Sequence, residues 1–130
     1  MVAYSFKQRF VGAIKAGTKA QTARGDRRRH ARVGETIQLY TGMRTSHCRL
    51  IGTATCCSIE PVRFDFEAQE VEVGATPPLD ALPALDAFAQ ADGFDDYRGL
   101  CEFWRETHAT TERWEGVLIR WKDFTRAVIA

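Results

Sequence analysis

The chain has 130 residues, and 18 lysines and arginines against 17 aspartates and glutamates give it a formal net charge of +1. This length fits one domain rather than two, and it is sufficient to bury a hydrophobic core without disulfide staples. A hydrophobic content of 45% excludes a wholly disordered chain. We therefore expect a single domain over residues 1–130.

The sequence contains no segment that favours a membrane or secreted protein. A membrane-spanning helix needs roughly 20 consecutive apolar residues, and no run approaches that length. The first ten residues, MVAYSFKQRF, lack the apolar centre of a secretory signal. We therefore expect a cytoplasmic protein without a membrane partner.

The small net charge conceals two halves of opposite sign. Residues 1–64 hold 12 basic and 3 acidic residues, a net charge of +9, whereas residues 65–130 hold 6 basic and 14 acidic residues, a net charge of −8. Arginine favours forked contacts to phosphate, so a dense arginine segment is a candidate anion site, and the alternative is a charged loop that serves solubility. The segment consists of Arg24, Arg27, Arg28, Arg29, His30 and Arg32.

The first helix is predicted near the N-terminus. Apolar residues recur every fourth position from Phe6 to Ile14, which predicts a helix over residues 5–16. Gly17 suits the C-terminal end of that helix. Residues 18–24 are short and polar, and they predict a turn that enters a strand.

Strands follow the arginine-rich segment, which is too polar for a core element and predicts a loop over residues 25–32. Alternating β-branched and aromatic residues predict strands, the third of them broken in its middle. A strongly hydrophobic stretch near the end predicts a strand in the interior of the sheet. These strands are predicted at 35–41, 49–59, 62–73 and 114–121.

Two helices are predicted between the third and the last of these strands. Residues 79–91 are helical in part, and Asp92-Gly93 is a turn dipeptide. Asp95 is predicted to cap a helix over residues 96–107. The order of helix, strands, helices and strand predicts an α+β domain, with a mixed sheet or small barrel flanked by helices.

The cysteine and histidine pattern favours no metal site. Cysteines occur at 48, 56, 57 and 101, with no C-x-x-C pair, and the three histidines are scattered. Zinc sites need ligands paired at short spacing. We therefore expect no bound metal, and we expect buried, reduced thiols.

The segment after the first predicted helix combines Lys19, Thr22 and Arg24. A threonine hydroxyl becomes a nucleophile only when a base removes its proton. A lysine can be that base where burial or a nearby cation lowers its pKa. In a regular strand these two residues would face opposite ways, so the pairing requires a bend. From the spacing alone, a solvated polar turn is the favoured interpretation.

Two further positions each have two interpretations. Tyr40, Arg44 and Thr45 surround a glycine turn at a strand end, where they can stack and hold a nucleobase or simply form a hairpin turn. Asp92 can be a catalytic carboxylate or only the turn former that its sequence indicates. Without other information, the turn former is favoured there.

The run R-F-x-x-x-I-x-A-G-T-K-x-x-T-x-R over residues 9–24 resembles the signature of ASCH domains, which belong to the PUA-like group. The segments GETIQLYTG at 34–42 and GVLIRW at 116–121 lie where that family has later strands. The resemblance implies a small PUA-like β-barrel of mixed, mainly antiparallel strands with flanking helices. It also implies RNA or nucleotide binding in a cleft beside the signature.

Within that family the signature is most similar to small bacterial N4-acetylcytidine amidohydrolases, which use a lysine, a threonine and a glutamate. Lys19 and Thr22 match the first two positions, and the carboxylate position falls on Asp92, one methylene shorter than glutamate. The resemblance implies a hydrolase of an N4-acylated cytosine nucleoside that needs no metal or cofactor. Arg24, or N–H groups near Gly17, would then stabilise the oxyanion.

The alternative is a module that binds RNA or a nucleotide through the arginine-rich segment without this chemistry. A variant of it adds RNA cleavage, with His30 or His47 as acid or base. With an aspartate at position 92, the sequence favours the hydrolase and the binding module almost equally. The intact Lys19–Thr22 pair favours the hydrolase. Whether a free nucleoside or RNA is bound does not follow from the sequence, nor does the oligomeric state.

Overall fold

The structure is a computed structural model that describes residues 1–25, 27–108 and 112–128. Six strands and three α-helices follow one another in the order strand, helix, four strands, two helices and strand, with a short 3-10 turn at Gln8–Phe10 before the first helix. The α+β class predicted from the sequence is therefore confirmed. The elements are β1 Val2–Phe6, α1 Val11–Ala16, β2 Gln21–Arg24, β3 Thr36–Thr41, β4 Arg49–Asp65, β5 Glu70–Val73, α2 Leu82–Ala91, α3 Tyr97–Thr107 and β6 Arg113–Arg126.

All six strands belong to one mixed sheet with the order β1-β3-β4-β6-β2, and β5 pairs with β4. Only the β1–β3 pair is parallel among the described ladders, so the strands are mainly antiparallel as predicted. The predicted closed barrel is wrong, because β1 and β2 are the two ends of the strand order and no ladder of the described residues joins them. The sheet is open on that side.

The predicted helix over residues 5–16 is shorter, because its first residues belong to a strand. Buried and half-buried side chains alternate in the sequence VAYSF of β1, and Phe6 is opposite Thr41 of β3. Phe6 lies four residues before Phe10, so a strand position coincided with the helical spacing. The helix ends as predicted at Gly17, which has a φ of 83°.

The remaining strands follow the hydrophobic pattern more closely. β4 runs through Pro61 as a single strand of 17 residues, where the sequence predicted two. The break predicted within residues 62–73 is the turn between β4 and β5. β6 lies between β4 and β2, which confirms the interior position predicted for it, and it is longer than the segment predicted.

Helices α2 and α3 pack against each other and cover the sheet through an aromatic cluster. The ring of Phe64 on β4 lies 5.9 Å from Phe88 of α2, 4.9 Å from Trp104 of α3 and 5.4 Å from Trp114 of β6, between ring centroids. Aromatic pairs of this geometry contribute about 0.5–1.5 kcal/mol each beyond their burial. The cluster fixes the position of α3 above β6.

Helix α3 has a side-chain cap, and α2 has a buried face. The cap of α3 is Asp96, whose carboxylate accepts a hydrogen bond from the N–H of Gly99 at 2.9 Å, and not the predicted Asp95. Leu85, Phe88 and Ala89 are the buried residues of α2, which begins at Leu82 and has Pro83 in its first turn. No helix in the described part of the chain is long and apolar enough to cross a membrane.

Candidate functional site

A cavity of about 320 Å³ brings together four residues of the predicted site. Lys19, Thr22, Arg24 and Asp92 all line it, although Asp92 is distant in sequence from the other three. Larger hollows exist, including one of about 530 Å³ between β4, β5 and β6, but none of these four residues lines that one. The smaller cavity is therefore the candidate site.

Lys19 is buried with its ammonium group held by carbonyl oxygens. Its side chain is 3% exposed, and Nζ donates to the backbone oxygens of Gln21 at 2.7 Å and Asp92 at 2.5 Å. Nζ also lies 3.8 Å from Oδ1 of Asp92 and 4.9 Å from the ring centre of Phe10. Burial lowers the pKa of Lys19 to about 8, although the carboxylate of Asp92 opposes the shift. A neutral amine is thus accessible near physiological pH.

The turn at Gly93 makes room for the Lys19 side chain. Gly93 has a φ of 99°, a conformation that other residues rarely adopt. A Cβ at this position would lie 2.8 Å from Cδ of Lys19 and 3.0 Å from Cδ1 of Phe10. Glycine at position 93 therefore allows the turn and also leaves space for the Lys19 side chain.

Thr22 is held by an arginine from its own strand. Nε of Arg24 donates to Oγ1 of Thr22 at 3.0 Å, and its terminal nitrogen donates to the carbonyl oxygen of Ser5 at 2.5 Å. The guanidinium lies 4.8 Å from the ring centre of Phe6. Burial lowers the pKa of Arg24 to about 10, so it stays charged at neutral pH. The threonine oxygen therefore faces a fixed positive charge.

Lys19 and Thr22 share the cavity without a direct hydrogen bond between Nζ and Oγ1 in the described contacts. The donors of Lys19 go to the carbonyl oxygens named above. Catalytic hydrogen bonds are often long in unliganded enzymes and tighten in the substrate complex. The arrangement supplies a base, a hydroxyl and a cation at one cavity.

Asp92 is both the turn residue and a buried carboxylate at the cavity. It is 5% exposed, and its Oδ1 accepts a hydrogen bond from Nε2 of Gln21 at 3.4 Å. Burial raises the pKa of Asp92, while the charge of Lys19 opposes the shift. Its backbone oxygen orients Lys19 at the same time. Asp92 is therefore the turn former that its sequence indicates and also a buried carboxylate that lines the cavity.

An aromatic wall completes the cavity, and sequence reasoning missed it as part of the site. The His108 ring stacks on Trp104 at 4.1 Å between centroids, and Trp114 lies 4.4 Å from Trp104. All three line the cavity. A Cβ at Gly116 would lie 2.3 Å from the Trp114 ring, so this glycine lets the ring occupy its place. Only the burial pattern of α3 and the WEG sequence of β6 hinted at this wall.

The arginine-rich segment is divided between structural and exposed side chains. Of its members, only Arg24 lines the cavity. Arg27 donates to the carbonyl oxygen of Ala3 at 3.2 Å, and His30 contacts the hydroxyl of Tyr4 at 3.1 Å. These contacts fasten the segment to β1.

The other charges of the segment differ in their surroundings. Arg29 pairs with Glu35 at 2.5 Å, and the backbone N–H of Arg32 donates to the same carboxylate at 3.0 Å. The residues Arg28 and Arg32 are exposed to solvent. Asp26 lies outside the described residues. The segment is therefore held partly by contacts with β1 and Glu35, and its remaining arginines form an exposed cationic surface.

The structure does not bring Tyr40, Arg44 and Thr45 to the cavity. They belong to the end of β3 and the loop before β4, and none of them lines the cavity. Oγ1 of Thr45 donates to the carbonyl oxygen of Gly42 at 2.6 Å, and Arg44 has a φ of 66°. These contacts are those of a tight turn.

Histidine, cysteine and acidic side chains do not cluster in the described part of the chain. Within residues 1–25, 27–108 and 112–128, no three or more histidine, cysteine, aspartate or glutamate side chains form a group able to hold a metal ion. The four cysteines are free. The prediction that their thiols are buried is right for Cys56 but wrong for Cys48 and Cys57, which are exposed.

Comparison with solved structures identifies the fold. The chain is similar to the crystal structure of ASCH from Zymomonas mobilis, with a TM-score of 0.55 and 18% identity over 95% of this chain and 68% of that chain. Two crystal structures of point variants of that protein match with the same TM-score, at 17% and 18% identity. No protein-family model matches the chain, and no curated protein matches it significantly. The shared feature is thus the fold of the Zymomonas mobilis ASCH structure.

Proposed function

We propose that this protein is an ASCH-domain amidohydrolase that removes the acyl group from the exocyclic amine of an N4-acylated cytosine nucleoside. The observation that carries the proposal is that Lys19, Thr22 and Asp92, the positions matching the hydrolase signature, line one cavity. The ASCH fold of the similar crystal structures supports it. The aromatic wall supports a planar heterocycle as the substrate, because bases stack on such side chains.

The first step forms an ester on Thr22. The neutral amine of Lys19 takes the hydroxyl proton, and Oγ1 attacks the carbonyl carbon of the amide. The hydrogen bond from Arg24 to Oγ1 stabilises negative charge that develops on this oxygen. The same guanidinium stabilises the negative charge on the oxygen of the tetrahedral intermediate. The pKa of Lys19 near 8 is what makes the neutral base available.

The second step breaks the bond between the carbonyl carbon and the exocyclic nitrogen. That nitrogen takes a proton by way of Asp92. The Lys19 ammonium, which holds the proton taken from Thr22, lies 3.8 Å from Oδ1 and passes it to the carboxylate, whose pKa burial raises. Water then hydrolyses the Thr22 ester, which releases the carboxylic acid and restores the hydroxyl.

The test is to incubate the protein with N4-acetylcytidine and measure cytidine and acetate. We expect Lys19→Ala and Thr22→Ala each to lower kcat by at least about 100-fold, because each removes a member of a base–nucleophile pair. Lys15→Ala and Thr18→Ala are matched controls, since both residues are exposed and neither lines the cavity. Activity that survives in both cavity variants would contradict this mechanism.

A second candidate is RNA or nucleotide binding without hydrolysis, favoured by the exposed side chains of Arg28 and Arg32 next to the cavity residue Arg24 in sequence. Binding through these charges should weaken as salt is added. Titration of RNA into the wild type and into Arg28→Ala at several salt concentrations measures this. An affinity that does not change with salt would contradict this candidate.

A further inference from the structure

Gln21 is a buried residue that contacts both Lys19 and Asp92 from outside the candidate cavity. It is 3% exposed and is not among the residues that line the cavity. Its backbone oxygen accepts a hydrogen bond from Nζ of Lys19 at 2.7 Å, and its side-chain Nε2 donates to Oδ1 of Asp92 at 3.4 Å. Successive side chains of a strand point to opposite faces, so Gln21 lies on the face of β2 opposite Thr22. One residue thus contacts both groups without occupying the space of a substrate.

Arg120 fixes the orientation of the Gln21 amide. The two residues are opposite each other in the antiparallel β2–β6 ladder, so their side chains share one face of the sheet. Nε of Arg120 donates to Oε1 of Gln21 at 3.4 Å. A guanidinium can only donate hydrogen bonds, and an ionised carboxylate can only accept them. The amide therefore satisfies both neighbours in one orientation, with its oxygen toward Arg120 and its nitrogen toward Asp92.

Backbone hydrogen bonds hold together the three elements that carry these side chains. The N–H of Ala20 donates to the carbonyl oxygen of Ala91 at 3.2 Å, which joins the start of β2 to the end of α2. The N–H of Trp121 donates to the carbonyl oxygen of Ala20 at 3.0 Å, which joins the same segment to β6. The carboxylate of Asp92 and the guanidinium of Arg120 are therefore held on either side of the amide between them.

The contact with Gln21 acts on the charge of Asp92. Burial raises the pKa of this carboxyl group, and the charge of Lys19, the hydrogen bond from Gln21 and the charge of Arg24 oppose the shift. An N–H donor binds an ionised carboxylate more strongly than the neutral acid. Burial and the charge of Arg24 lower the pKa of Lys19, whereas the charge of Asp92 raises it. Gln21 therefore favours the state in which Lys19 and Asp92 are both charged.

We propose that Gln21 is a positioning residue, whose amide, oriented by Arg120, holds the ionised carboxylate of Asp92 where it receives the proton of the Lys19 ammonium. The proton passes from Nζ to the carboxylate, and from there to the exocyclic nitrogen as its bond to the carbonyl carbon breaks. The part that concerns hydrolysis rests on the proposed function, whereas the part that concerns the charge of Asp92 does not. Because Gln21 acts through Asp92, its effect should disappear when the carboxylate is absent.

The first measurement follows the side-chain carboxyl carbon of Asp92 by NMR as the pH changes, without substrate. Gln21→Met removes the amide but keeps the backbone oxygen and a side chain of similar length. We expect the titration midpoint of Asp92 to move to higher pH in Gln21→Met and, to a smaller extent, in Arg120→Met. Gln38→Met is the matched control, because Gln38 is a half-buried residue of β3 that does not line the cavity.

Thermal melting verifies that these variants are folded. An unchanged midpoint in Gln21→Met would overturn the inference, and so would an equal upward shift in Gln38→Met. Arg120→Met leaves the amide in place, so an unchanged midpoint in that variant would overturn the role of Arg120. If Gln21→Met does not fold, Arg120→Met decides the inference by the same criterion.

The second measurement is a double-mutant cycle on the hydrolysis of N4-acetylcytidine. We expect Gln21→Met to lower kcat about tenfold in the otherwise wild-type protein, with little change in KM, because the carboxylate is no longer held in place. In Asp92→Asn the same substitution should lower kcat less than about twofold, since the group that it acts through is already lost. Equal losses in both backgrounds are expected of a purely structural residue and would overturn the positioning role.

The two measurements separate this inference from the proposed function. If N4-acetylcytidine is not hydrolysed while Gln21→Met raises the midpoint of Asp92, the proposed function fails and the action of Gln21 on the carboxylate stands. If the nucleoside is hydrolysed while the midpoint does not move, the inference fails and the proposed function stands.

Discussion

Lys19 shows how strongly one side chain depends on its surroundings. An exposed lysine has a pKa near 10.4 and is almost wholly charged at neutral pH. Burial lowers the pKa of Lys19 to about 8, so about a tenth of the molecules hold a neutral amine at pH 7. The negative charge of Asp92 limits the shift, and two carbonyl oxygens accept hydrogen bonds from the Lys19 ammonium. The residue is therefore a base whose availability changes within the accessible pH range.

We predict that hydrolysis of N4-acetylcytidine increases as pH rises and levels off above about 8, because only neutral Lys19 takes a proton. In Asp92→Asn the inflection should move to lower pH, since the carboxylate that raises the pKa of Lys19 is lost. The maximal rate should also fall. A pH–rate profile measures both effects, with Asp95→Asn as the exposed control. An inflection that moves to higher pH would contradict the assigned interaction.

Gly93 is a second residue with a testable requirement. We predict that Gly93→Ala destabilises the protein by about 1–3 kcal/mol, because the new Cβ meets Lys19 and Phe10 and the φ of 99° is strained for alanine. Gly12→Ala should instead stabilise by up to about 1 kcal/mol, since Gly12 lies in α1 with no atom within 4 Å of its Cβ position. Urea unfolding of both variants is the measurement, and equal effects would contradict the prediction.

The sequence predicted part of this site for physical reasons. Lys19, Thr22 and Arg24 are close along the chain, so their spacing was visible. The catalytic role of Asp92 follows from family resemblance, because no local rule connects Asp92 with residues about 70 positions away. Trp114 and His108 could not be predicted, since their place at the cavity depends on how α3 packs over β6.

At the scale of elements, α3 carries much of the cavity wall, and its first turn controls its stability. We predict that Asp96→Ala costs about 1 kcal/mol, because the carboxylate that accepts from the N–H of Gly99 is removed. Asp95→Ala should change stability by less than about 0.5 kcal/mol, as expected for an exposed residue outside the cap. Chemical denaturation distinguishes the two, and a larger loss in the Asp95 variant would contradict the observed cap.

Elements with one clear periodicity were predictable, and those with two were not. β3 and α2 agree with the expected segments because their patterns have a single period and clear ends. β1 was missed because Phe6 belongs to both a strand alternation and a helical spacing. The parallel partner β3, which decides in favour of the strand, lies more than 30 residues away. Such a pairing cannot be deduced from local propensity.

At the scale of the whole molecule, side chains connect the two ends of the open sheet. Arg24 on β2 donates to the carbonyl oxygen of Ser5 on β1, and Arg27 donates to that of Ala3. Tyr4 of β1 receives the ring of His30 from the same segment. The arginine-rich segment thus connects the two ends of the open sheet, in addition to carrying positive charge.

We predict that Arg24→Ala destabilises the protein by about 2 kcal/mol, because it removes a partly buried, charge-assisted hydrogen bond between the sheet ends. Amide exchange should accelerate in β1 and β2 more than in the interior strands β4 and β6. Arg28→Ala is the control, since Arg28 is exposed. Hydrogen-exchange mass spectrometry measures this, and uniform acceleration through the whole sheet would contradict a local role at the gap.

The opposite charges of the two halves also have a structural outcome. Asp92 of the acidic half is paired with Lys19 of the basic half at the cavity, whereas Arg29 is neutralised by Glu35 of its own half. The acidic half therefore does not simply cover the basic one. Lys15, Arg49 and Arg126 line a groove in which none of the described lining residues is acidic. A net charge near zero is thus compatible with local cationic surfaces.

The strand order has a consequence for synthesis of the protein on the ribosome. β2, which carries Thr22, pairs only with β6 among the described strands, and about 90 residues separate the two along the chain. The ribosome adds roughly 5–20 residues per second. Several seconds therefore pass between the emergence of Thr22 and the emergence of β6, with which its strand pairs. The cavity therefore cannot be assembled before β6 has emerged, and truncated products that lack β6 would leave Lys19 and Thr22 unpositioned.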